Sequence, residues 1–246
     1  MADTMLNKIR KLLAKAEDPA CTTAEAEALT SKAAELIAKY GVDRALLAAA
    51  APETDTVGDL VIDMPAPYAV DKCSMLAGVA DALRCQSVRR EARTATSRGR
   101  GFAMHLFGFA SDLERVDLLF TSLLVQAGQA LAAAPLPSLE SPAAYRRSWL
   151  AGYTIAIVAR LRAAEKQAAE AADAPSSAGR SVALVLADRS GEVTRAVAEA
   201  YPNLHFAPPR KLAGSGRYHG YAAGQRADLG GTRLARSSSR AVAGSR

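Results

Sequence analysis

The 246-residue chain has few of the residues that mark small secreted or metal-holding proteins: three cysteines, three histidines, one tryptophan, and only 5 % aromatics. Cys21, Cys73 and Cys85 are odd in number and unevenly spaced, which argues against a disulfide framework and makes a reducing cytoplasm the expected home. His105, His205 and His219 are too scattered for a local metal motif, and neither HExxH nor CxxC occurs, so no metal and no cofactor is expected. An apolar run of eighteen residues is missing. The best candidate, Leu150 to Ala159, is too short to span a bilayer, so no membrane partner is expected. Residues 1–20 are charged and amphipathic, without the cleavage site of a signal peptide. No GxSxG elbow is present. Ser190-Gly191 and Gly214-Ser215-Gly216 therefore read as turns, and with no catalytic motif a non-enzyme is favoured.

Half of the residues are apolar, enough for one large or two small domains with a proper core. At the N-terminus, Met5, Leu6, Ile9, Leu12, Leu13 and Ala16 form one apolar stripe, with Lys8, Lys11 and Lys15 on the opposite side. Asp18-Pro19 breaks this helix. A second helix opens with a capping box at Thr22-x-x-Glu25 and is expected to stop at Gly41, and a short third one follows over about Asp43–Ala50. Glu25, Glu27 and Glu35 on the second helix would repel phosphate, which argues against a recognition helix there.

The ordered combination of Ile9-Arg10-Lys11-Leu12-Leu13-Ala14-Lys15-Ala16, Glu25-Ala26-Glu27-Ala28 and Lys39-Tyr40-Gly41 resembles the opening module of domain-of-unknown-function family 2786, over about residues 5–47. More weakly, residues 70–230 look like the α+β region that usually follows it. The resemblance implies a bacterial, phage or mobile-element setting and supplies no catalytic role.

Beyond residue 50, Ala51 to Pro67 reads as a linker or crossing strand with Val61 and Ile62 as its core candidates. A helix over Ser74–Leu83, a strand over Cys85–Ala92 and a stronger strand over Phe102–Phe109 follow; Arg93 to Gly101 would be a long hairpin loop with an arginine-rich tip. Ser111-Asp112-Leu113-Glu114 has the form of a second capping box, opening a helix with Leu113, Val116, Phe120, Leu123, Leu124, Ala127 and Leu131 at helical spacing. Ser141-Pro142 starts a long helix to about Ala172, in which Gly152 implies close packing against another element. Tyr145, Trp149 and Tyr153 make one face of it, read as core, while Arg146 and Arg147 point elsewhere. A strand over Ser181–Leu186, a helix over about Gly191–Tyr201, and an extended or disordered tail over most of Pro208–Arg246 complete the expectation.

The fold class is thus α+β: a three-helix module (1–50), a linker (51–68), a mostly helical core around a small sheet (69–202), and a basic flexible tail (203–246). The net charge of +6 is segregated, with +5 over residues 84–100, +7 over residues 203–246 and −6 on the rest. Clustered cations raise the local potential and favour counterion release from phosphate. High arginine content in an alanine-rich chain is also what codon bias produces.

The expected function is a non-catalytic nucleic-acid-binding accessory protein, taking DNA or RNA with little sequence preference. Arg89, Arg90, Arg93, Arg98 and Arg100 would make the phosphate contacts, helped by Lys8, Lys11, Lys15, Arg146, Arg147, Arg210, Lys211, Arg217 and Arg226. Within Arg217-Tyr218-His219-Gly220-Tyr221, cations alternate with rings as in single-strand binders; the alternative is an arm whose tyrosines pack back on the core. Two other classes stay open. One is an enzyme whose site assembles from distant residues around His105, itself read as a core or sheet-face histidine; the other is an assembly protein or homo-oligomer burying helix faces against another chain.

Overall fold

The computed structural model describes residues 7, 9, 11, 12, 23–93, 100–173, 181–205 and 210–227. The chain runs α1 (Thr23–Ala50), a 3₁₀ turn (Pro52–Thr54), β1 (Val57–Met64), α2 (Ala69–Ala82), β2 (Gln86–Arg93), β3 (Arg100–Phe109), α3 (Ala110–Ala133), α4 (Pro142–Ala172), α5 (Val182–Ala200) and α6 (Arg217–Arg226). The fold is α+β, with helices layered on a three-stranded antiparallel sheet of order β1-β3-β2.

β3 is the central strand because its alternation is apolar on both faces. Met104 and Leu106 join Met64 beneath α2 and α3, while Phe107 and Phe109 meet Val193 and Val197 of α5. β1 pairs with β3 from Val57↔Phe109 to Met64↔Phe102, and β2 from Gln86↔Phe107 to Arg93↔Arg100. α4 runs through the main core. Tyr145, Trp149, Tyr153, Ile157 and Leu161 are buried along it, recurring every four residues as an apolar stripe requires, and Trp149 stacks on Tyr153 at 5.3 Å.

Three expectations need correction. Gly41 does not end a helix; α1 runs unbroken from Thr23 to Ala50, so the second and third helices expected there are one. Ser181–Leu186 is not a strand but the start of α5, whose buried residues Val182, Val185, Arg189, Val193 and Val197 follow a period of three and four. Within the stretch read as a tail, residues 217–226 form α6 against α4. The expected capping residue Thr22 and the loop tip 94–99 lie outside the described residues. At the N-terminus, Ile9 is buried and Lys11 exposed, as the stripe requires.

Among the described helices, α3 has the length and mean hydropathy, 1.4, of a membrane span, although its apolar residues do not form an unbroken run. Its Leu113, Val116, Leu119, Phe120 and Leu123 are buried in the protein's own core.

Candidate nucleic-acid interface

The arginine hairpin is built by strand register. Successive residues of β2 point to opposite faces, so Arg89 and Arg93 share a face with Arg100, and Arg90 takes the other. Arg89 and Arg90 are both exposed, and Arg89 stands over the Phe102 ring at 5.4 Å. Arg93 is the direct cross-strand partner of Arg100.

The second basic-aromatic surface comes from α6. Gly216, Gly220 and Gly224 recur every four residues, and a methyl at any of them would overlap α4: the Tyr145 carbonyl, the Trp149 carbonyl, and Ala156 at 2.7 Å. Gly152 answers from α4, its Cα facing the Arg217 carbonyl and the Tyr221 nitrogen, which supplies the close packing its position implied. With so little side-chain bulk, the two backbones come into direct contact.

Further bonds hold α6 in place. Glu140 accepts from Ser215 N at 2.8 Å and from Ser215 Oγ at 2.5 Å, Gly216 N donates to Ser148 Oγ at 2.9 Å, and Tyr145 Oη meets His219 Nδ1 at 3.2 Å. At the other end Arg160 donates to the Gly224 and Ala227 carbonyls. Because the glycines and not the tyrosines make the contact, Tyr218 is left 78 % and Tyr221 41 % exposed, beside Arg217 and Ile155.

Beneath these surfaces lies a buried cluster of six charges. Asp112, at the first turn of α3, accepts from Arg115 at 2.6 Å, from Arg84 at 3.3 Å and from Arg189 at 3.2 Å. Glu165 of α4 accepts from Arg84 at 2.5 Å and also from Arg115. Asp55 accepts from Arg189 at 2.8 Å and from Ser111 N and Oγ at 3.1 and 2.6 Å, so it stands at the α3 N-terminus, where the helix dipole favours an anion. Ser111 and Asp112 therefore serve this cluster; neither makes a side-chain cap of its own helix, as the capping-box reading expected.

Three guanidiniums balance three carboxylates, the condition under which buried charge is tolerable. Burial pushes the Asp112 carboxyl up, but Arg115, Arg84 and Arg189 together pull it below the ordinary carboxylate range. Arg189 also lies over the Phe109 ring, 3.5 Å from its centroid. Arg84 reaches the cluster from a left-handed backbone, φ 65°, one residue past the C-cap of α2. There Arg84 N bonds the Asp81 carbonyl at 3.2 Å and Cys85 N the Ala80 carbonyl at 2.8 Å, the paired closure that ends helices on a glycine. An arginine in that conformation is strained by about 1–2 kcal/mol, offset here by two ion pairs.

Arg115 is fully buried, its guanidinium seated directly against Gly41 of α1. That glycine is the last residue of the Lys39-Tyr40-Gly41 motif. Residues 4–44 match the family described as Protein of unknown function (DUF2786). The DUF2786 segment thus ends close to where α1 receives an arginine from α3. No curated protein and no solved structure matches the chain.

The remaining candidates fall out as follows. Lys11, Arg147, Lys211, Arg217 and Arg226 are exposed, and Arg146 is half-buried. Arg210 is engaged, pairing with the buried Asp71 at 2.8 Å and tying the segment before α6 to α2. Lys8, Lys15 and Arg98, and the side chains of Arg93 and Arg100, lie outside the described residues. The Tyr145, Trp149 and Tyr153 face of α4 meets α6, whose first residue, Arg217, lies at that seam. Reading Gly220 and Gly224 as part of an extended tail hid that seam, although the four-residue spacing from Gly216 was its signal.

His105 sits on the α5-facing side of β3, with Nε2 2.9 Å from Asp59 Oδ2 and Nδ1 2.7 Å from Tyr201 Oη. Among the described residues no three His, Cys, Asp or Glu side chains gather as a metal site.

Proposed function

We propose that the protein is a non-catalytic nucleic-acid-binding accessory protein whose phosphate contacts centre on the β2–β3 hairpin. The observation that carries this reading is the register that sets Arg93 opposite Arg100 and aligns Arg89 on the same face. A cytoplasmic, phage or mobile-element setting belongs to the same proposal. Contacts of this type position a strand without reading bases, so little sequence preference follows. The helix faces that an assembly protein would offer are used internally: Leu113, Tyr145 and Trp149 are all buried.

Salt dependence tests the proposal. With about five phosphates engaged, the slope of log affinity against log salt on duplex DNA should be roughly −4 to −5. Replacing Arg93, Arg98 and Arg100 together by Ala should flatten it by up to about 3 units and leave the fold intact. Absence of binding at low salt, or an unchanged slope in the triple variant, sinks the reading.

One observation favours an enzyme instead. Asp59, His105 and Tyr201 form a continuous hydrogen-bonded chain from three separate segments, in which an Nε2-protonated His105 donating to Asp59 would leave Nδ1 to accept the Tyr201 proton. If that chain were catalytic, a tyrosine-directed phosphonate or sulfonyl probe would label Tyr201 in the native protein and lose it in His105→Gln.

A further inference from the structure

The α4–α6 seam carries a feature that a phosphate-binding hairpin does not explain. Tyr218 and Tyr221 sit one helical turn apart on the outer side of α6, and with Ile155 they line an open depression of about 510 Å³ beside Ser215 and Arg217. We propose that this seam is a stacking platform for the unpaired bases of single-stranded nucleic acid, with Tyr218 and Tyr221 as the rings and Arg217 as the phosphate contact. The proposal rests on the nucleic-acid reading above and adds the substrate class.

Four observations converge on it. The rings are exposed although α6 is docked, because the glycine ridge makes the close backbone contact with α4. Tyr218 meets the His219 ring edge-on at 6.0 Å, and His219 is bonded to the fully buried Tyr145, which ties this ring to α4. A cation stands beside them: Arg217, exposed, lines the same depression. The carboxylate at this end, Glu140, is already engaged by Ser215 N and Oγ at the start of α6. Rings with a guanidinium match a strand whose bases are splayed onto π-faces while its phosphates are held. Three exposed apolar side chains are also far short of the roughly 20–30 residues a side of a stable protein interface.

Fluorescence anisotropy on the full chain tests this with three labelled probes of about twelve nucleotides, within the span such sites cover: oligothymidylate, the same strand without bases, and a duplex. Oligothymidylate should bind tighter than the abasic strand. Tyr218→Leu with Tyr221→Leu should weaken it by at least about thirty-fold, each ring accounting for about five- to a hundred-fold. Duplex binding should stay unchanged, and the paired Phe variant should bind like the native protein because stacking needs the ring and not the hydroxyl. If the abasic strand binds as tightly as oligothymidylate, or the Leu variant binds it like the native protein, the seam is overturned and the hairpin reading stands. If no probe binds at low salt, both fall. A native dimer that the Leu variant converts to monomer in sedimentation shows a second copy on the seam and overturns the platform.

Discussion

The Arg115 guanidinium occupies the space that a side chain at residue 41 would fill, so Gly41 of α1 and Arg115 of α3 form a matched seat and occupant. The glycine costs helix stability locally, on the order of 1 kcal/mol against alanine, and in exchange a long side chain from outside the DUF2786 segment passes against the helix backbone to reach Asp112 and Glu165.

Gly41→Ala is therefore expected to destabilise the protein by about 1–3 kcal/mol, the usual cost of overpacking, even though alanine is the better helix former. Urea denaturation measures it. A double-mutant cycle with Arg115→Met, a thinner side chain, should show strong coupling; additive effects would mean the two residues do not share the space.

Asp112→Asn leaves three buried guanidiniums facing two carboxylates and should cost about 3–5 kcal/mol. The same residue predicts a pH dependence. Its folded carboxyl is held below the ordinary value of about 3.9, so in acid the unfolded state binds more protons. The stabilisation is fully present above about pH 5 and is lost as pH falls through the ordinary value toward the folded one. Urea midpoints between pH 7 and pH 3 should drop steeply for the native protein and less for the variant; parallel curves would refute the assignment.

Gly220→Ala puts a methyl into the Trp149 carbonyl and should force α6 off α4. Trp149, the chain's one tryptophan, is 1 % exposed, so its emission reports the event directly. A red shift with faster proteolysis near Arg217 is expected. Unchanged emission would show that α6 accommodates the methyl.

Both described cysteines should be inert in the native state. Burial pushes the Cys85 thiol up to about 12, with Asp112 adding to it, and burial likewise raises Cys73. Peptide mapping after iodoacetamide at pH 8 should find neither labelled until urea is added. Modification of Cys85 under native conditions would show that the charge cluster opens.

Where local chemistry set the structure, it was legible. Ser141-Pro142 and a four-residue aromatic period mark α4 nearly to the residue, and the β2–β3 hairpin follows from alternation. Three things were hidden, each because a distant residue decides them. Gly41 reads as a stop until Arg115 is placed against it. Ser181–Leu186 is apolar enough for a strand, and only the continuation through Arg189, Val193 and Val197 makes it one helix face. The buried arginines look like surface charge in a basic chain, since nothing local announces that Arg84 adopts a positive φ or that Arg189 lies over a ring. At the site, Arg89, Arg90, Arg147 and Arg217 are exposed, whereas Arg210 is held by Asp71, and the seam depends on a helix that glycine spacing alone had to signal.

Vectorial synthesis gives the charge cluster a temporal order. A ribosome that has released residues up to 180 has delivered Asp55, Asp112 and Glu165 but only Arg84 and Arg115, so the emerging interior carries one surplus negative charge until Arg189 follows. Neutrality at the centre is completed by a residue more than three quarters of the way along the chain. Chains arrested before residue 189 are accordingly expected to stay protease-sensitive while those arrested well beyond it become resistant. Electrostatics at the core thus ties the packing of the earlier segments to the arrival of α5.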